Sequence, residues 1–364
     1  MKIRQLYADA DLMANPLVTQ ISRNLNLPAQ PLANRDAVYQ TIAQNPDPIA
    51  TGKEYLLLTQ NKGAFIKKCP GTKEYICCGY QILHIGTFCN MDCSYCILQA
   101  YFHPPVMQYF VNYDDMETEI GKLFAQKNTF RIGTGEFTDS LIWEPWTHLS
   151  ERLVPLFGSQ DYGVLELKTK TTAIGSLQHL PHNNRVVLAW SVNTPEVIKE
   201  QERNTAGLHN RLEAARQAQS WGYNVALHFD PLVLYDGCIA EYEAVIDQIF
   251  NTLNPDQIAW ISLGSFRCMP ELKGIIETRF PQSKLPYGEF ITGQDAKMRY
   301  FKPLRLKLYK ALVQKLQQRG PNVFAYFCME DPETWQATFG FNPDEQGGLS
   351  AMLDRMIKEK CNLK

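Results

Sequence analysis

The chain is short of several features that would direct its reading elsewhere. No window holds the roughly 18 consecutive apolar residues of a membrane-spanning helix, and the opening stretch Met1–Asp9 meets charged residues before a secretory core can form. Neither membrane insertion nor export is expected, and a cytoplasmic location is. Excess positive charge is also missing. With 36 Lys and Arg against 38 Asp and Glu, the formal net charge is −2, so any nucleic-acid contact must come from a local basic patch. No internal repeat or low-complexity segment stands out. At 364 residues and 45% hydrophobic, the chain can bury a full globular core.

Cysteine is present, but with a gap. Ten cysteines occur, and none lies between Cys96 and Cys238. In a long chain without an export signal they point to metal or redox chemistry rather than a disulfide framework. Three fall in Cys89-Asn90-Met91-Asp92-Cys93-Ser94-Tyr95-Cys96. A zinc site would more often show paired C-x2-C halves or added histidines. Ferredoxins hold a 4Fe-4S cluster with four cysteines, whereas this run supplies only three, Cys89, Cys93 and Cys96, and leaves one iron open. The spacing resembles that of radical S-adenosylmethionine (SAM) enzymes. The resemblance implies that SAM chelates the open iron and is cleaved to a 5'-deoxyadenosyl radical. Cys69, Cys77, Cys78, Cys238, Cys268, Cys328 and Cys361 read mostly as buried small apolar residues.

From about residue 80 onward, apolar and β-branched runs alternate with helical patterns. Strands are predicted over 80–85, 130–133, 164–168, 185–192, 223–228 and 257–263, and helices over 114–125, 142–156, 208–221 and 240–253. Strands apolar almost throughout, alternating with helices, indicate parallel βαβ units covered on both faces. Six of them suit an α/β fold, the partial (β/α)6 TIM-type barrel. Residues 1–75, rich in Asn, Gln and Pro, read as a small N-terminal cap with an early helix ended before Pro28. Residues 76–270 read as the barrel. Residues 271–364 read as a C-terminal extension with a basic, aromatic element, a short β-run over 323–328 and a last helix over 349–358.

Barrel chemistry gathers at the C-terminal ends of the strands, so the polar residues after each apolar run are candidates. Glu136 follows Thr134-Gly135, where glycine permits close backbone approach and a carboxylate can accept from the ammonium of SAM. A structural salt bridge is the competing reading. Lys170 and Ser191 suit the methionine carboxylate by charge and hydroxyl, or are solvated strand ends. Asn193 is either a further cofactor contact or the cap of a helix starting at Pro195. Tyr95 either packs against the cluster or reaches the substrate side as a catalytic group. Arg299, Tyr300 and Lys302 combine charge with stacking surface, the pairing of nucleic-acid sites, or form a basic surface turn.

The whole chain is similar to the spore photoproduct lyase family. The likeness runs through Pro16-Leu17, Cys69-Pro70-Gly71, Tyr75-Ile76-Cys77-Cys78-Gly79-Tyr80, the cysteine loop, Ser191-Val192-Asn193, Val197-Ile198-Lys199 and Arg211-Leu212-Glu213-Ala214-Ala215. It implies a lyase that repairs a covalent thymine dimer in DNA through hydrogen abstraction, bond cleavage and hydrogen return. It also implies a flavodoxin- or ferredoxin-type reductant, SAM contacts at Thr138, Lys170 and Ser191, and a DNA-contacting hairpin near Arg299-Tyr300. Two departures stand out: the family's hydrogen-donor cysteine aligns with Glu136, and its tyrosine after the last cluster cysteine with Ile97. The alternative is a related radical SAM enzyme acting on another nucleic acid or a small molecule.

Overall fold

The computed structural model describes residues 2–72 and 74–364. Seven strands run parallel in one sheet, in spatial order Ala325–Phe327, Ile258–Ser265, Asn224–Leu232, Val186–Ser191, Gly163–Thr169, Phe130–Gly133 and Gln81–Leu83. Ile66–Lys68 adds an eighth, antiparallel strand beyond Gln81–Leu83. This is the expected partial barrel. Val186–Ser191 and Ile258–Ser265 are buried at every position, because helices cover the outer face while the inner face closes on itself. The helix Leu208–Ser220, for example, lays Leu212, Ala215 and Ala218 against the strands on either side of it in sequence.

The structure departs from the sequence reading at three places. The helix expected over 142–156 is two helices, Glu144–Thr147 and Ser150–Gly158. His148 takes a left-handed φ of 53° and its N–H closes on the Glu144 carbonyl, which ends the first turn. The short β-run of the C-terminal extension is not peripheral, since Ala325–Phe327 pairs with Ile261–Leu263 as the last barrel strand. The N-terminal segment also continues into the rest of the molecule. Its strands Gln30–Leu32, Gln5–Asp9 and Tyr55–Thr59 share a five-stranded sheet with Met107–Phe110 and Gly86–Thr87. The early helix runs Pro16–Leu25, capped by the Asn15 side chain and ended by Asn26 at φ 50°.

The two edges of the barrel sheet are brought together by an antiparallel bridge between Ile76 and Glu330. Ile76 lies between the Ile66–Lys68 and Gln81–Leu83 strands, and Glu330 follows Ala325–Phe327. Among the described residues no helix is long and apolar enough to cross a membrane.

Candidate active site

The cysteine loop leaves the five-stranded sheet at Gly86–Thr87. Phe88 takes a left-handed φ of 71°, a conformation that costs a non-glycine residue on the order of 1 kcal/mol and persists only where neighbours enforce it. Several do. Its N–H donates to the Phe137 carbonyl at 2.8 Å. Lys53, only 1% exposed, donates to the Met91 carbonyl and the Asp92 carboxylate, both at 2.6 Å. Arg279 bridges Asp92, at 3.1 Å, to Asp47, at 2.9 Å. The Gln99 amide donates to the carbonyls of Cys93 and Ser94. Apart from Gln99, these partners lie far from the loop in sequence, and no local motif marked them.

Cys89, Cys93 and Cys96 all line one cavity of about 350 Å³. Among the described residues no three His, Cys, Asp or Glu side chains are set around a single ion. Three soft thiols along one wall with open space beside them fit a cluster, which takes each ligand on a different iron. Burial, with Glu202 adding, pushes the Cys93 thiol up to about 12, so it stays protonated until a metal displaces the proton.

Glu136, Thr138, Lys170 and Ser191 share this cavity. Glu136 pairs with Lys168 at 2.6 Å. Gly135 makes that approach possible, since a Cβ there would sit 3.0 Å from the Lys168 Cβ and 3.1 Å from the Ser140 hydroxyl. Thr138 accepts from the Trp143 indole at 2.9 Å. The Lys170 ammonium stands 5.7 Å from the Tyr95 ring centre, and its backbone N–H donates to Asp139, whose carboxylate also orders Leu141 and Ile142. The Ser191 carbonyl accepts from Arg211 at 2.9 Å.

Other predicted site residues are turned elsewhere. The Asn193 side chain is not part of the cavity lining; its amide donates to the Pro231 carbonyl at 2.7 Å and accepts from Tyr242 at 2.7 Å. Nor does it cap the following helix, which Thr194 does through the Val197 N–H. The Tyr95 ring borders the cavity, but its hydroxyl donates to Glu202, which is paired with the fully buried Arg211. Arg299 is 1% exposed, paired with Asp295 at 2.7 Å and stacked 3.9 Å over Tyr75. Tyr300 is buried against Phe290, and Lys302 pairs with Asp331 and Glu333. Arg299 and Tyr300 therefore belong to the packed hairpin of Phe290–Thr292 and Met298–Tyr300 rather than facing solvent, while the partly exposed Lys302 opens the helix that follows it. Asp295, four residues before Arg299, was the sequence signal for that pairing.

The cavity gains residues without assigned roles in the sequence reading. Lys297 reaches it from that hairpin, and Arg267 reaches it paired with Asp230 at 3.3 Å. At its mouth Tyr101, 49% exposed, stacks on Phe137 with ring centres 6.1 Å apart. Glu166 and His228 form a buried, hydrogen-bonded pair at 2.7 Å in the wall. Burial pushes the Glu166 carboxyl up, but His228, with Lys168 and Tyr80, more than offsets this and holds it at about 2. A depressed carboxylate stabilises the fold above its unfolded value near 4.3, and that contribution, on the order of 3 kcal/mol, is lost as pH falls toward 2. Cluster-free protein is therefore expected to lose stability steeply below about pH 4, and Glu166→Gln to flatten the loss. Denaturant midpoints measured across that window check it, and parallel curves for the two proteins would refute it.

Three thiols in one loop at the carboxyl edges of a parallel partial barrel, with strand-end polar groups around the same cavity, define an enzyme of the radical SAM class. The spore photoproduct lyase family model matches residues 73–317, and the chain belongs to the spore photoproduct lyase family. It is 28% identical over 241 residues to the spore photoproduct lyase of Clostridium acetobutylicum, covering 65% of this chain and 70% of that one. To the enzyme of Bacillus subtilis it is 26% identical over 209 residues, covering 56% and 61%. A solved spore photoproduct lyase variant with dinucleoside spore photoproduct superposes at a TM-score of 0.79 with 19% identity, over 90% of this chain and all of that one. Another, with bound SAM and the same dinucleoside, gives 0.77 with 19% identity over the same shares.

Proposed function

We propose that this enzyme repairs a thymine dimer in DNA, with Cys89, Cys93 and Cys96 holding a 4Fe-4S cluster beside bound SAM. The observation that carries the reading is the family match lying over a cavity that brings these cysteines together with Glu136, Thr138, Lys170 and Ser191. When bound, the cluster and SAM supply a carbon-centred radical able to take a hydrogen atom from the lesion.

The protein's own part is binding, orientation and exclusion of water. Glu136, steadied by Lys168, suits the ammonium of the methionine moiety, and Lys170 with Ser191 suits its carboxylate. The Tyr101–Phe137 ring pair offers a stacking face for a thymine at the mouth. Lys297 and Arg267, rather than Arg299 and Lys302, are the cations that border the cavity and suit a lesion phosphate. In this reading residues 76–270 carry the cofactors and residues 271–364 the substrate side, while residues 1–75 brace the cysteine loop through Lys53 and Asp47. A flavodoxin- or ferredoxin-type protein would supply the electrons.

The test uses protein reconstituted anaerobically with iron and sulfide, then given SAM, a reductant and DNA containing the dimer. Repaired thymine is expected together with 5'-deoxyadenosine, both quantified by mass spectrometry. Deoxyadenosine without thymine would discard this lesion in favour of another nucleic acid or a small molecule.

A further inference from the structure

Abstraction of one hydrogen from the lesion, followed by cleavage of the carbon–carbon bridge, leaves a thymine radical one hydrogen atom short of product. A side chain with a weak X–H bond must return that atom inside the cavity. Glu136, where the family resemblance places a cysteine, is a carboxylate tied to Lys168. Ile97 has no transferable hydrogen of this kind, and the Tyr95 hydroxyl points to Glu202.

Three thiols besides the cluster ligands line the cavity: Cys69, Cys78 and Cys328. They come from opposite edges of the barrel sheet and meet where the Ile76–Glu330 bridge closes it. Cys78 precedes the Gln81–Leu83 strand, at its amino end. Cys69 lies before the first barrel strand, on the antiparallel edge. Cys328 directly follows the last barrel strand, at the carboxyl end where the other site groups stand. Its sulfur accepts from Arg267 at 3.4 Å, and Arg267 is anchored on Asp230. That bond fixes the sulfur by its lone pair and leaves the S–H to point elsewhere. Burial pushes the thiol up to about 12, so it holds its hydrogen at neutral pH.

On the repair reading above, we propose that Cys328 returns the hydrogen atom to the product radical. The S–H bond breaks homolytically, a C–H bond forms on the thymine, and a thiyl radical remains on sulfur. One electron and one proton restore the thiol, the electron coming from the same class of one-electron reductant that serves the cluster.

Cys328→Ser tests this because its hydroxyl keeps the acceptor for Arg267 but has too strong an O–H bond to donate. In deuterated buffer the parent enzyme should give thymine carrying one deuterium, since the thiol exchanges with solvent. The serine variant should still form deoxyadenosine and consume the lesion, while its thymine yield falls about tenfold or more and radical adducts of the reductant accumulate. Cys238→Ala, outside the cavity, should repair normally. Independently of turnover, the dinucleoside lesion should slow maleimide labelling of Cys328 in protein without SAM, as read by peptide mass spectrometry. Parent-level thymine from Cys328→Ser, or undiminished labelling, overturns the assignment. Loss of deoxyadenosine in Cys328→Ser also overturns it, in favour of a structural role. A parent enzyme that leaves the lesion intact refutes the repair reading itself, and the donor role falls with it.

Discussion

Cys93→Ala is expected to abolish the visible absorbance of the reconstituted protein and, with it, all formation of 5'-deoxyadenosine. Cys93 stands between Cys89 and Cys96 in the loop, and all three thiols border one cavity. Two thiolates leave two irons of the cube without protein ligands, which a loop this firmly braced does not replace. The fold should survive, because Lys53, Arg279 and Gln99 hold the loop through Asp92 and backbone carbonyls rather than through the cysteine sulfur. Glu136→Ala is the contrasting case. It should keep the absorbance and weaken SAM binding by the value of one charge-assisted hydrogen bond, about 2 kcal/mol or roughly thirtyfold in Kd. Iron content and SAM titration separate the two. A Cys93→Ala protein that retained parent iron and absorbance would remove the cluster from this loop.

What could be read from the sequence was whatever is local. The C-x3-C-x2-C loop, the apolar strands with polar ends and the glycine before Glu136 each declare themselves within a few residues. The barrel follows from their alternation, and so does the gathering of Glu136, Thr138, Lys170 and Ser191 at one end. What was hidden depends on partners distant in the chain. Lys53 sits 39 residues from Asp92, and Arg279 sits 187 residues from it, so nothing near either residue announced a role in bracing the cysteine loop. Arg299, Tyr300 and Lys302 show the reverse failure. Their composition suits a nucleic-acid surface, but Arg299 and Tyr300 are buried in the assembled hairpin and Lys302 is taken up by Asp331 and Glu333. Cys328 was obscured by topology, because the strand before it closes the barrel from the far end of the sequence.

Arg211 carries the largest expected effect on stability. Its guanidinium is fully buried, donating to the carbonyls of Ala206 and Ser191 and pairing with Glu202, which in turn holds the Tyr95 hydroxyl. One side chain thus links the end of a barrel strand to the cysteine loop. Arg211→Met would leave the Glu202 carboxylate buried without its paired guanidinium, hydrogen-bonded only by the Tyr95 and Thr205 hydroxyls, and orphan two carbonyls. Breaking a buried pair from one side costs about 3–5 kcal/mol, which for a chain of this size corresponds to a fall in Tm of about 5 °C. Arg216→Met, one helical turn further on, removes an exposed pair with Glu213 and should cost no more than about 0.5 kcal/mol. Adding Glu202→Gln to Arg211→Met should restore part of the loss, since the uncompensated charge is gone. If Arg211→Met melted with Arg216→Met, the buried pair would not be what ties Ser191 to the cysteine loop. If it melted lower but the double variant recovered nothing, the lost carbonyl contacts rather than the stranded carboxylate would account for the cost.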